Sequence, residues 1–432
     1  MPQAPPAGPE QGLHLAVALD GAGWHPAAWR EPAARPADLC TAGYWADLAA
    51  EAERGLLDFI TIEDALGLQS ANRFTGVDDR TDQVRGRLDA ILIAARIAPL
   101  TRHIGLIPTG TTTHTEPFHV STALATLDYV SGGRAGWRAQ LSSQPEQAGH
   151  FGRRELPPLS SVLAAPAAPA APSTPAADAT PAAPEAIARM RERFGEGADF
   201  VEVVRRLWDS WEDDAVIRDV PTGRFIDRDK LHYIDFEGRW FNVRGPSITP
   251  RPPQGQLPVT ALAHAQVPYE FAARAADIVF ITPGNADHAA QIIGQVKTAE
   301  KDTERARQPL RAYADLTVFL DDDEAAAHQR KERLDRADGA DYRSDTAIFT
   351  GTPGQLADLL LDWRAAGLDG FRLRPAAIPH DLEQVTRRLV PVLQERGDFR
   401  TSYAEETLRE RLGLEPHPAS RYVARAGDKE PL

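Results

Sequence analysis

Short apolar segments alternate with amphipathic helical patterns along most of this chain, and this alternation restricts the fold more than any other feature. Four apolar segments precede a break in the pattern near residue 142, and four more follow residue 256. Strands joined through helices imply parallel neighbours and right-handed crossovers, and eight such units complete a (β/α)8 barrel. We therefore predict an α/β fold, a TIM barrel with insertions. The predicted strands are Leu13–Leu19, Leu57–Ile62, His103–Ile107, Ala135–Leu141, Leu257–Ala263, Asp277–Ile281, Arg311–Leu320 and Leu368–Leu373.

A doubly wound open sheet is the alternative, and its usual signature is weak here. Such a sheet carries a Gly-rich phosphate loop after its first strand. Gly21-Ala22-Gly23 follows the first predicted strand, but position 26 is Pro26 instead of a third glycine. A proline there also interrupts the helix that would receive a pyrophosphate. The barrel is the better prediction.

The barrel is predicted over residues 13–400, between a disordered N-terminus at 1–12 and a polar C-terminal tail at 401–432. An Ala/Pro-rich insertion at about 154–186 interrupts it. Residues 164–186 hold twelve Ala and six Pro among 23 residues. Such a segment has little apolar surface to bury, so we expect an exposed, disordered loop. Predicted helices cover 44–54, 85–98, 117–130, 185–211, 286–301 and 382–395, and two more begin at 269 and 322.

Charge and cysteine content exclude several classes of protein. Lys and Arg number 48 against 62 Asp and Glu, a net charge of −14, which argues against nucleic-acid and anionic-membrane binding. The single cysteine, Cys40, cannot form an intramolecular disulfide, and a cytoplasmic location is expected. No metal site is expected, because Pro117 separates His114 from His119 in a loop-to-helix junction.

Polar side chains cluster where the predicted strands end. The carboxyl ends of barrel strands form the face that carries function in TIM barrels. No nucleophile–base pair can be recognised there, so the set suits a cofactor that performs the chemistry itself. These residues are Asp20, His25, Glu63, Asp64, Thr109–His114, Arg138, Gln140, His264, Thr282, Arg372 and Arg374.

Several longer motifs resemble the bacterial luciferase-like flavin monooxygenases, in the branch of nitrilotriacetate and dibenzothiophene-sulfone monooxygenases. They occur in order over about residues 13–400. The motifs are Leu19-Asp-Gly-Ala-Gly-Trp-His-Pro-Ala-Ala-Trp-Arg30, Ala52-Glu-Arg-Gly55, Thr109-Gly-Thr-Thr-Thr-His-Thr-Glu-Pro-Phe118, Leu127-Asp-Tyr-Val-Ser-Gly-Gly-Arg-Ala-Gly-Trp137, residues 200–214, and residues 243–255.

The resemblance implies a cofactor and partners. It implies that reduced FMN, supplied by a separate NAD(P)H:flavin reductase, activates O2 to oxidise a small organic substrate, usually within a homodimer. A deazaflavin (F420)-dependent oxidoreductase is the enzymatic alternative. The second alternative is a catalytically silent barrel that serves as a partner subunit.

The resemblance also implies flavin-contacting positions, and several of them are altered here. Asp64, Thr109 and Thr111 match residues that hold the ring, and no catalytic residue is assigned. Arg138 stands where the family has Asn. Phe194 stands where it has a Tyr near the phosphate. The phosphate loop, normally Gly-Ser-Ser and then Gly-Arg, reads Ala263-His264-Ala265 and then Pro268-Tyr269. Arg138 and His264 are expected to supply replacement positive charge.

Overall fold

Eight parallel strands close into a ring in the computed structural model, which describes residues 12–69, 78–142, 144–156, 184–305, 307–404 and 406–423. Each strand pairs in parallel with its neighbours, and pairing of Ile278–Ile281 with Arg311–Leu320 closes the ring. The predicted TIM-barrel fold is thus confirmed. The barrel strands are β1 (His14–Leu19), β2 (Phe59–Ile62), β3 (Gly105–Thr111), β4 (Trp137–Gln140), β9 (Val259–Leu262), β10 (Ile278–Ile281), β11 (Arg311–Leu320) and β13 (Gly370–Pro375).

The remaining strands lie outside the ring. β12 (Ala347–Gly351) pairs in parallel with the second half of β11, as a ninth strand that the sequence pattern did not predict. Two short antiparallel hairpins occur where the sequence predicted a loop, because their strands are only two to four residues long and half exposed. They are β5 (Val216–Asp219) with β6 (Arg224–Ile226), and β7 (Phe236–Glu237) with β8 (Asn242–Val243).

Helices cover the outside of the barrel and mostly begin at a capping residue or proline. The α2 helix begins at Ala90, later than predicted, because the Asp89 side chain accepts a hydrogen bond from the Leu92 amide. The helices are α1 (Ala42–Arg54), α2 (Ala90–Ile97), α3 (Pro117–Ser131), α4 (Pro145–Phe151), α5 (Pro184–Asp209), α6 (Gln266–Ala275), α7 (Ala286–Asp302), α8 (Glu324–Asp338), α9 (Pro353–Ala365), α10 (His380–Gln384), α11 (Val390–Glu395) and α12 (Leu408–Arg411).

Apolar side chains fill the lower part of the barrel interior, at the amino ends of the strands. Phe59, Ile107, Phe280 and Tyr313 are fully buried there. Leu408, Leu412 and Leu414, from the segment predicted as a polar tail, join the same cluster. The described part of that segment therefore packs against the barrel and closes its lower end, which leaves the upper end for a site.

Two other predictions fall on undescribed residues. The disordered N-terminus lies outside the described residues except for Gly12, and residues 157–183 of the Ala/Pro-rich insertion also lie outside them. The domain boundaries thus stay predictions. No helix among the described residues has the length and apolar character needed to cross a membrane.

Candidate functional site

Strand pairing aligns polar side chains around the upper interior of the barrel. Thr109 on β3 pairs with Arg138 on β4, which in turn pairs with Thr260 on β9. On the opposite wall, Asp315 on β11 pairs with Arg372 on β13. Alternate residues of a barrel strand face the interior, so polar residues two apart stack above the apolar floor.

These side chains form a continuous line of alternating charges, which we call the mouth network. Glu63 bridges Arg138 at 3.0 Å and Arg372 at 3.2 Å. Asp315 accepts hydrogen bonds from both Arg372 and Arg374, including one of 2.8 Å from Arg372 Nε. Arg374 then contacts Asp345 at 2.6 Å. The network consists of Glu63, Arg138, Asp315, Asp345, Arg372 and Arg374.

The mouth network is balanced, with three guanidinium groups and three carboxylates. Burial opposes ionisation of Asp315, but Arg372 and Arg374 hold the pKa of its carboxyl below the usual value. Burial lowers the pKa of Arg138 to about 10, although Glu63 partly opposes this, and the group stays protonated at neutral pH. Arg372 and Arg374 also lie over the rings of Phe280 and Trp24, at 4.0 and 4.3 Å from the centroids. The network is thus a fixed, charged floor beneath the mouth.

Three predicted site residues come together at one side of this floor. Arg138 Nη1 donates to Thr109 Oγ1 at 3.0 Å and to Gln140 Oε1 at 2.8 Å. Gln140 Nε2 donates to the backbone carbonyl of Asp64 at 3.0 Å. Gln140 thereby connects Asp64 to Thr109 and Arg138.

The carboxylate of Asp64 is occupied by backbone groups. Its oxygens accept hydrogen bonds from the amides of Ala65 at 2.7 Å and Ala90 at 3.0 Å. Burial raises the pKa of Asp64 to about 6, while these two hydrogen bonds act in the opposite direction. Asp64 therefore fixes the loop after β2 to the start of α2.

His264 and Ala265 lie between β9, the strand next to β4 in the ring, and α6. His264 Nδ1 is 2.9 Å from Thr282 Oγ1, and Nε2 is 3.6 Å from Asp345, so His264 adjoins the mouth network. Burial lowers its pKa and Asp345 partly opposes the shift, although 43% of the side chain is exposed. Ala265 is the N-cap of α6, and its methyl group gives no capping hydrogen bond.

Three residues singled out in the sequence have other surroundings. Thr111 is in register with Gln140, and its backbone carbonyl accepts a hydrogen bond from Thr115 at 2.5 Å. The ring of Phe194 lies 5.4 Å from that of Phe271, in the apolar contact between α5 and α6. Tyr269 is buried in the main core. Phe194 and Tyr269 therefore contribute to helix packing.

Two carboxylates of the network, Asp315 and Asp345, are not among the site residues predicted from the sequence. Asp315 lies inside an apolar strand. A single charged residue at a buried strand position indicates a functional or ion-paired side chain, so the sequence contained a signal for it. Asp345 lies in a loop before β12, which the pattern left unassigned. Its pairing with Arg374 depends on the arrangement of distant segments, so no local signal indicates it.

The upper interior offers donors and acceptors for a polar ring system. Arg138 Nε and Thr260 Oγ1, on neighbouring strands, are buried and have no hydrogen-bond partner among the described residues. The first turn of α6 has no side-chain cap, and amides of this kind at a helix N-terminus bind phosphate well. A flat heterocycle with a phosphate group fits this chemistry.

Comparison with known proteins agrees with this chemistry. The family model described as luciferase-like monooxygenase matches residues 24–343. N-acetyl-S-(2-succino)cysteine monooxygenase of Bacillus subtilis (strain 168) is 30% identical over 95% of this chain and 98% of its own length. Nitrilotriacetate monooxygenase component A of Aminobacter aminovorans is 27% identical, covering 94% and 97%. A solved riboflavin lyase with modified FMN shares the fold, with a TM-score of 0.78, 24% identity and coverage of 94% and 98%.

Proposed function

We propose that this chain, which belongs to the luciferase-like monooxygenase family and is a flavin-dependent monooxygenase, is the oxygenase component of a two-component system. In this proposal it takes reduced FMN from a separate flavin reductase and transfers one oxygen atom of O2 to a small organic substrate. The observation that carries the proposal is the pair of unpartnered buried atoms, Arg138 Nε and Thr260 Oγ1, beside the uncapped start of α6.

The proposed binding mode uses both sides of the mouth. Arg138 and Thr109 bind the polar edge of the isoalloxazine ring, and the Asp64 loop and Thr111 border it. The amides at the start of α6, after Ala265, bind the phosphate, and His264 contributes charge. Phe194 supports this arrangement only indirectly, by packing α5 against α6. Reduced flavin supplies the activation of O2 when it is bound.

The chain's own residues orient and isolate the bound groups. Arg372 and Arg374 are fully buried by the strands and Trp24, so the floor of the mouth holds its charges away from water. Groups fixed in this way need no rearrangement when charge develops above them. Glu63 and Gln140 hold the Arg138 guanidinium in place through Nη1, while its Nε stays available.

A titration of the purified chain with FMN, reduced FMN, riboflavin and the deazaflavin cofactor tests this proposal. We expect reduced FMN to bind most tightly and riboflavin, which lacks the phosphate, to bind at least about tenfold more weakly, because charge-assisted hydrogen bonds contribute roughly 1.5–3 kcal/mol each. Preference for the deazaflavin would support the other cofactor class. Absence of binding to all four would support the silent barrel.

A further inference from the structure

A second group of cations lies at the rim, beside α4 and on the side of α5 that faces away from α6. Arg154 follows α4, and its guanidinium is 2.8 Å from Glu196 of α5. Arg193 lies on α5, half buried, and no described residue accepts a hydrogen bond from it. His114 lies in the loop after β3. We call Arg154, Arg193 and His114 the rim cluster.

The faces of α5 separate the rim cluster from the start of α6. Arg191 contacts Glu270 of α6 at 3.5 Å, and Phe194 packs on Phe271 of α6. Gly197 faces the other way, since a Cβ there would lie 3.2 Å from Leu141, just after β4. Arg193 lies one turn before Gly197, on the same face. The rim cluster is therefore on the β4 side of α5.

The backbone of His114 has an unusual conformation, and no hydrogen bond among the described residues explains it. Its φ is +70°, in the left-handed region that non-glycine residues rarely adopt. Its ring stacks on Phe151 with centroids 5.1 Å apart, and only 7% of the residue is exposed. Nε2 is buried and has no hydrogen-bond partner among the described residues. A buried polar atom of this kind ordinarily has a partner.

Positive charge exceeds negative charge around these side chains. Burial lowers the pKa of Arg193, repulsion from Arg154 and Arg189 adds to the shift, and Glu196 opposes it. Burial also lowers the pKa of His114, with Arg154 next in effect. The other carboxylates nearby are Glu116, which pairs with Arg153 at 2.5 Å, and the exposed Glu155.

A solvent-open groove of about 580 Å³ has Arg154 of the cluster in its wall. Its walls are α4 and the residues that follow it, including Arg153, Arg154 and Glu155. Phe151, the stacking partner of His114, belongs to the same helix. Of the rim cluster, Arg154 lines this groove, while His114 reaches the groove helix through its stacking on Phe151.

We propose that the rim cluster is a carboxylate-recognition subsite, so that the organic substrate of this enzyme is an anion bearing at least one carboxylate. This inference rests on the proposed function, since it assigns the substrate class of the same mouth. Arg193 supplies the free charge, and Arg154, held by Glu196, supplies a fixed second guanidinium. His114 contributes Nε2 as a neutral donor or acceptor to the bound group. A guanidinium matches a carboxylate in geometry, which favours this class over neutral substrates.

Calorimetric titration of the flavin-free full chain with succinate tests the proposal, with uncharged succinamide as the matched probe. We expect succinate to bind and succinamide to bind at least about tenfold more weakly. Arg193→Gln should weaken succinate binding about tenfold or more, as expected for the loss of one charge-assisted hydrogen bond. Arg193→Lys should retain part of the affinity. The exposed Arg396→Gln, whose side chain pairs with Asp358 of α9 outside this groove, is the control and should change it less than twofold.

FMN titrations of the same variants separate this proposal from the proposed function. We expect Arg193→Gln to leave FMN affinity within about twofold of the original protein. If Arg193→Gln weakens FMN and succinate binding equally, Arg193 belongs to the flavin phosphate and the subsite proposal is wrong. It is also wrong if succinate fails to bind, or if Arg396→Gln has the same effect as Arg193→Gln. Succinate binding without FMN binding would contradict only the proposed function.

Discussion

The mouth network and the rim cluster use the same residue types to opposite effect. In the network, three arginines face three carboxylates, and Asp315 serves two arginines at once. In the rim cluster, Arg193 and His114 lack hydrogen-bond partners among the described residues, and Glu196 is committed to Arg154. The first arrangement pairs each of its charges, although Arg138 Nε has no hydrogen-bond partner among the described residues, and it therefore acts mainly as a scaffold. The second has unsatisfied groups, which is the condition for binding a ligand.

Removal of one carboxylate from the mouth network should have the largest effect. Asp315→Asn leaves Arg372 and Arg374 buried without their shared countercharge, and breaking a buried pair costs about 3–5 kcal/mol. We expect a loss of that size in the free energy of unfolding, measured with urea. Asp362→Asn, at an exposed position of α9, should change it by less than about 0.5 kcal/mol. Equal losses in the two variants would contradict the scaffold role.

A pair of double-mutant cycles compares the two regions directly. Glu63 and Arg138 lie 3.0 Å apart with side chains 7% and 6% exposed. Their replacement by Gln, singly and together, should give a coupling energy of about 0.5–3 kcal/mol in unfolding experiments. Glu116 and Arg153, 2.5 Å apart but about 60% exposed, should give less than about 1 kcal/mol. A larger coupling at the exposed pair would reverse our comparison.

Asp64 should show how a buried carboxylate behaves without an arginine bound to it. Its pKa is raised from 3.8 to about 6, so its protonated form is favoured by folding. The stability that this group contributes is fully present below pH 3.8 and is lost as the pH rises through 6. The difference in unfolding free energy between the original protein and Asp64→Asn should therefore fall by on the order of 2 kcal/mol between pH 4 and pH 7. Parallel pH profiles would show that Asp64 titrates normally.

The smallest effect is expected at His264, where solvent weakens the interaction. Bound phosphate favours the protonated ring, so FMN affinity should fall as the pH rises through the pKa of His264. That pKa lies below 6.5 in the free protein, because burial lowers it. The change should be about two- to fivefold, the size typical of a half-exposed charge pair. His264→Ala should remove it. If FMN affinity still depends on pH in His264→Ala, the dependence comes from titration of the FMN phosphate itself.

The sequence predicted the eight strands, because buried parallel strands are apolar along their whole length. It also predicted which strand ends carry Thr109, Arg138 and His264. It could not predict that the Asp64 carboxylate faces two backbone amides, since that depends on where the α2 helix begins. The Arg372–Glu63 contact joins residues 309 positions apart, and no local pattern contains such a pairing. For Phe194, periodicity indicates a helix but does not decide which face meets α6.

The pairing of β1 with β13 also has a consequence for biosynthesis. His14 pairs with Gly370, so the two paired residues lie 356 positions apart in the chain. At about 5–20 residues per second, a ribosome needs roughly 20–70 s to make the chain between them. Through that interval the edge of β1 that later pairs with β13 has no partner in its own chain. A free apolar edge of this kind can pair with other chains. The time in which aggregation competes with folding is thus set by how late the last strand leaves the ribosome.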